Sequence, residues 1–243
     1  MRGYEPAASF DEDAAAIYDD TPRGDEAAAA AFLEQRAGGG PALELAIGTG
    51  RIALPLMARG VLVDGIDFSA AMVARLRAKP GGDQITVTMG DFAEVPVAGR
   101  YRLVYLVFNT LFNLLTQEDQ VRCFENVAAH LADDGVFVVE AFVPSSLYRL
   151  RDDQYVDAEA IAVSEAWLDL GRHDPVAQRL EETHLRFTRE GVRLYPIVCR
   201  YCWPAELDLM ARIAGLRLSE RWGGWNREPF TSDSRLHVSV YAR

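Results

Sequence analysis

The chain has 243 residues, 49% of them hydrophobic, and its 25 basic against 36 acidic side chains leave a net charge of −11. That length buries a full-sized core without disulfides or metal, and the acidic balance, with Lys79 the single lysine, argues against nucleic acid phosphate as the main partner. No apolar stretch approaches the roughly 18 to 20 residues of a membrane helix, and residues 5–26 carry Asp11, Glu12, Asp13, Asp19, Asp20 and Asp25 where targeting signals are basic or acid-poor, so a cytoplasmic protein without a membrane partner is expected.

Residues 1–40 read as an acidic, alanine-rich helical arm that ends at Gly38-Gly39-Gly40-Pro41. From Ala42 short apolar runs alternate with helical periodicity, the pattern of βαβ units on a parallel sheet. The strands expected are 43–47, 61–66, 85–89, 103–108 and 136–142, with helices at 51–59, 69–78 and 117–131. Thr116 is placed to cap the last of these helices and Gly135 to stop it. Three polar-apolar segments follow at 160–170, 177–188 and 192–202, an antiparallel meander inserted into the α/β domain. Pro204 opens a helix to Ala214, and 216–222 with 236–242 form a closing hairpin. The organisation expected is an arm at 1–40, a core of 41–145 with 203–243, and a meander at 146–202 serving as substrate lid or dimer surface.

Chemistry concentrates first at Leu43-Glu44-Leu45-Ala46-Ile47-Gly48-Thr49-Gly50, an apolar strand that runs into two glycines and a helix. Glycines there let the backbone approach a ligand and aim helix N-terminal amides at it. The run from Gly48 to Ala53 also fits the dinucleotide pattern. Asp67 closes the second strand about 20 residues beyond Gly48, where a carboxylate accepts from both ribose hydroxyls of a nucleoside. Glu44 lies inside a buried strand beside the loop, where an unpaired carboxylate is costly, so it is expected to hydrogen-bond beneath the ligand.

Glu44-x-Ala46-x-Gly48-x-Gly50, then Asp67, then Gly90-Asp91-Phe92 after the third strand resembles a class I S-adenosylmethionine-dependent methyltransferase, with Ala46 where that family usually has its first glycine. The resemblance implies a Rossmann-like α/β fold with a mostly parallel seven-stranded sheet, an antiparallel last strand and the inserted β meander. It implies S-adenosylmethionine as cofactor, with Ala46, Gly48 and Gly50 along the methionine moiety, Asp67 at the ribose and Asp91 at the adenine amino group. Phe68, Met72 and Phe92 would pack on the adenine ring, although core packing fits Met72 and Phe92 equally. Phe108 and Asn109 would offer backbone to the cofactor amino group, and Arg51 either reaches the cofactor carboxylate or stays solvated.

The chain most resembles the subgroup that methylates sugar amines and other natural-product or metabolite acceptors. In it Tyr18 matches the arm residue that closes over the cofactor, with a second reading as a plain helix anchor. Asn113 falls where some of those enzymes carry a histidine base; an amide takes no proton at neutral pH, so Asn113 orients an acceptor or merely caps a turn. The mechanism implied is in-line methyl transfer to a nitrogen, oxygen or carbon of a small molecule, driven by positioning in a dry pocket.

A nicotinamide-dependent oxidoreductase and a catalytically silent cofactor-binding protein are the alternatives. Cys123, Cys199 and Cys202 read as reduced thiols, and no metal ligand set is expected among the cysteines and His130, His173, His184 and His237. His173 and His184 lie in the meander, where they face an acceptor in one reading. Trp225, with Tyr201 and Trp203, lines an acceptor pocket, buries a homodimer contact or packs the hairpin.

Overall fold

In the computed structural model, which describes residues 1–20 and 23–243, the chain forms two sheets. The first is built from β1 (Ala42–Leu45), β2 (Val63–Asp67), β3 (Thr86–Met89), β4 (Tyr101–Leu106) and β5 (Leu131–Phe142). A second, antiparallel sheet of β6 (Gln154–Ile161), β7 (Glu165–Asp174), β8 (Arg179–Thr188) and β9 (Gly191–Arg200) intervenes before β10 (Arg217–Trp222) and β11 (Leu236–Ala242) complete the first. The order is β10-β11-β5-β4-β1-β2-β3, parallel from β5 through β3, with β11 antiparallel to both its neighbours. This is the Rossmann-like architecture expected, antiparallel last strand included.

Helices α1 (Glu12–Ile17), α2 (Glu26–Ala37), α3 (Ala53–Met57), α4 (Ala70–Arg77), α5 (Gln117–His130) and α6 (Pro204–Ile213) surround the first sheet. Leu103, Val104, Tyr105 and Leu106 are all fully buried, so β4 has no solvent face, the expected state of a strand covered on both sides. Val104 and Leu106 join a core with Phe124 and Val127 of α5 and Leu207 of α6. Leu103 and Tyr105 point the other way, into a core with Phe32 and Leu33 of α2 and Leu56 of α3. Among the described residues no helix is long and apolar enough to cross a membrane.

Several boundaries differ from expectation. The meander has four strands, because the segment expected at 160–170 is broken between Ile161 and Glu165, where Ala162 N–H donates to the Glu165 carbonyl at 2.8 Å; no Gly or Pro marks that turn in the sequence. α5 does stop at His130, but Gly135 is no cap: it lies inside β5, where a Cβ would meet the Tyr101 carbonyl oxygen at 2.8 Å. Cys199 lies in β9 and Cys202 beyond it, both buried and unpaired.

Candidate active site

Strand order reverses between β1 and β4: the chain proceeds outward through β2 and β3 on one side and β5 on the other. A crevice at the carboxyl ends of the strands follows from such a switch point. Two backbone turns flank it. After β1, Ala46, Gly48 and Gly50 have φ of 53°, 56° and 77°. Gly48 suits that left-handed conformation without cost and a Cβ there would meet nothing within 4 Å, whereas one on Gly50 would lie 2.4 Å from Leu76 Cδ1. Gly48 thus leaves an open cradle and Gly50 permits close helix packing.

Asp67, 5% exposed, ties the first turn to β2. Its Oδ2 accepts Gly48 N–H and its Oδ1 accepts Ser69 N–H, both at 2.7 Å. Each oxygen keeps a second lone pair for a ligand hydroxyl. Burial raises its pKa against the pull of those amides. Glu44, 2% exposed on β1, accepts the Tyr105 hydroxyl of β4 at 2.8 Å across the floor of the crevice. Burial pushes its pKa up to about 8, so it is mainly protonated at neutral pH.

After β4, Phe108 and Asn109 both adopt positive φ, 54° and 62°, an uncommon conformation for side chains of this kind. β5 holds them there. Glu140 Oε2 accepts Phe108 N–H at 2.8 Å, the Glu140 carbonyl accepts Asn109 N–H at 3.2 Å, and Asn109 Oδ1 accepts Phe142 N–H at 2.6 Å. Glu140 is itself buried, which raises its pKa, and its Oε1 accepts the Trp225 indole N–H at 3.1 Å. Asn113 is half-buried near this turn, with Cys199 Sγ of β9 at 3.9 Å from its Oδ1.

The arm lies over both turns. Asp19 accepts the Thr49 hydroxyl and pairs with Lys79, each at 2.7 Å. Arg51 pairs with Asp25 and, at 3.3 Å, with Glu26, so it is neither solvated nor fully free; its Nη2 is buried without a partner among the described residues. The Arg23 guanidinium sits 3.6 Å from the Phe108 ring centroid and 4.8 Å from that of Tyr18. Phe10 meets Phe68 edge to face, and Ser69 donates to the Phe10 carbonyl at 2.6 Å.

The remaining adenine-side residues divide. Phe68 is 40% exposed, while Met72 and Phe92 are buried, Phe92 within the core on the α5 side. Asp91 is exposed and caps Ala93 N–H at 2.8 Å. His173 is buried against the Tyr201 hydroxyl at 2.7 Å, and His184 Nδ1 faces Asp169 and Glu159 on one face of the second sheet. Trp225 is buried edge to face with Phe32, the packing reading of the three offered for it. Sequence reasoning missed Glu140, whose only trace was a lone acidic residue in an apolar run, and missed Asp19 and Asp25, which entered only as acidic residues that argue against a targeting signal.

The open cradle at Gly48, the buried Asp67 and the unpartnered Arg51 Nη2 fit a nucleoside cofactor with a charged amino acid tail. Architecture and site together define a class I methyltransferase. Residues 42–135 match the family described as methyltransferase domain. The chain is 37% identical to the CcbJ methyltransferase of Streptomyces caelestis, with a TM-score of 0.92 over 98% of this chain and 99% of that one. It is 24% identical over 201 residues to a cypemycin N-terminal methyltransferase from Streptomyces sp, covering 83% of this chain and 82% of the relative. CalS10 of Micromonospora echinaspora, an amino pentose methyltransferase solved with its methyl donor, shares the fold at 22% identity and a TM-score of 0.67 over 94% and 95% of the two chains. The chain belongs to the methyltransferase family and is an S-adenosylmethionine-dependent enzyme; the nicotinamide reading of the glycine loop falls with that assignment.

Proposed function

We propose that the enzyme methylates a nitrogen, oxygen or carbon of a small natural-product or sugar-type molecule in the cytoplasm, with no role for nucleic acid. The observation that carries this reading is the likeness to CcbJ along 98% of the chain, arm and meander included. The amino pentose methyltransferase and the sugar N-methyltransferase KedS8 of Streptoalloteichus sp support it through their shared fold.

S-adenosylmethionine, when bound, supplies an activated methyl group on a cationic sulfur. Asp67 holds the Gly48 turn and offers its spare lone pairs to the ribose, with Ala46 and Gly50 alongside. Phe68, Met72, Asp91 and Phe92 serve the adenine side, and Phe108 and Asn109 border the methionine end with Arg51. Tyr18 and the arm at 1–40 close the site and exclude water, which favours transfer governed by positioning. Asn113 orients the acceptor. Glu44, protonated, keeps the floor of the crevice neutral.

The meander at 146–202 bounds the acceptor site from the core of 41–145 and 203–243. Tyr155 and Ile197 pack toward that core on one face of its sheet. The opposite face presents Val156, Leu170, Val192 and Leu194, each 38% exposed or more, and is the surface proposed for a homodimer.

Calorimetric titration with S-adenosylhomocysteine tests the site. Asp67→Ala is expected to weaken binding at least about 100-fold, since it removes a charged acceptor of two backbone amides and the ribose. Single-turnover transfer to a panel of amino sugars tests the acceptor class. Unchanged affinity in Asp67→Ala would overturn the site, and transfer to none of the panel would overturn an amino sugar as acceptor.

A further inference from the structure

We infer that Glu140 is a positioning residue of the methyl transfer reaction, one that holds the Phe108-Asn109 turn in the strained shape the cofactor site uses. The inference rests on the placement of the cofactor at the crevice between β1 and β4. Glu140 contacts the turn twice, its side chain taking Phe108 N–H at 2.8 Å and its carbonyl Asn109 N–H at 3.2 Å, and Phe142, two residues on in the same strand, adds a third bond by donating to the Asn109 side chain at 2.6 Å. Two consecutive non-glycine residues at positive φ persist only where their surroundings fix them. A buried carboxylate is an expensive way to fix a turn, since burial disfavours its charged form.

The chemistry of the contact explains why a carboxylate stands there. Phe108 N–H and Trp225 Nε1–H converge on Glu140 from two directions, and each needs an acceptor oxygen. A carboxylate offers two oxygens and no hydrogen, whereas an amide of the same shape offers one oxygen and turns an NH₂ group toward the other donor. Glu140→Gln therefore leaves one N–H facing another donor. The strained turn is the weaker of the two claims on the remaining oxygen, because losing that bond lets Phe108 relax while Trp225 stays wedged against Phe32.

A rescue experiment separates positioning from general support of the fold. Dissociation constants for S-adenosylmethionine and S-adenosylhomocysteine are measured well below the unfolding temperature for the wild type, Glu140→Gln, Trp225→Phe and the double variant. Glu140→Gln is expected to weaken both ligands about tenfold. Trp225→Phe removes the competing donor and keeps the carboxylate, so its affinities stay within about twofold although its unfolding temperature falls. In the double variant the single amide oxygen is free for Phe108 N–H, and affinity returns to within about threefold of the wild type. Wild-type affinity in Glu140→Gln would overturn the inference, as would a double variant weaker than Glu140→Gln. A loss confined to the cationic ligand would also overturn it, because charge rather than position would then be at work. If the wild type binds neither ligand, the cofactor site itself fails, and the two failures are told apart.

Discussion

The turns after β1 and β4 stand on either side of one crevice and hold similar backbone shapes by opposite means. At Gly48 and Gly50 the left-handed conformation comes from glycine itself, and Asp67 needs only to set its orientation. At Phe108 and Asn109 the same region of φ is imposed on one residue that resists it and one that tolerates it, by Glu140 and Phe142 of a neighbouring strand. Apart from Ala46, which also takes positive φ, the first turn is a property of its own sequence and the second a property of the fold. Side chains are the gain on the second side: Phe108 keeps a ring that is 42% exposed beside the site, where glycine would offer none.

Substitutions ranked by expected effect probe that contrast. Gly50→Ala should be the most damaging, because it combines positive φ with a Cβ 2.4 Å from Leu76 Cδ1. A loss of about 3 kcal/mol, read as a fall in unfolding temperature of about 6 to 12 °C, is expected. Gly48→Ala, with open space around its Cβ, should cost only about 1 kcal/mol in the same melt; equal losses would mean that backbone conformation alone governs this turn.

Asn109→Ala comes next, at about 2 kcal/mol in a denaturant titration, since Phe142 N–H loses its acceptor. Asn109→Gly loses the same bond but adopts positive φ freely, so it should be about 1 kcal/mol better than the alanine variant. If the two variants melt alike, the second turn stores no strain and the contrast between the turns collapses.

Outside that ranking stands a pH test of Glu44, on the floor between the turns. Its pKa is raised from 4.5 to about 8 by burial, so its contribution to stability is full below about pH 4.5 and is lost as pH rises through about 8. Over that window one such group lowers stability by up to about 1.4 kcal/mol per pH unit. Glu44→Gln cannot ionise and should flatten the fall in melting temperature with pH, leaving the residue due to Asp67 and Glu140, which burial shifts the same way. A pH profile identical to the wild type would place Glu44 in its ionised state throughout.

What the sequence made legible follows the same division. The glycine loop, Asp67 and the alternation of strands and helices were readable because local residue chemistry dictates them. The strained turn was not, since Asn109 tolerates positive φ but nothing in Leu106-Val107-Phe108 prefers it, and the residue that imposes it on Phe108 lies 32 positions away. The break in the meander escaped for a related reason: Ala162-Val163-Ser164 carries only a weak turn former in Ser164, and the pairing of β6 with β7 creates the corner. Asp19 and Asp25 gave no sign of a place at the site because their partners, Thr49, Lys79 and Arg51, are brought to them by the fold.

The contact between Asp19 and Lys79 has a practical consequence. With arginine at every other basic position, the protein holds one side-chain amine, and that amine is fastened to the arm at 2.7 Å and to the Thr49 carbonyl at 2.8 Å. A reagent that acylates free amines meets Lys79 as a nucleophile only while the arm has released it. The chain thus contains one side-chain site whose acylation, read by mass apart from that of the α-amine, counts openings of the arm.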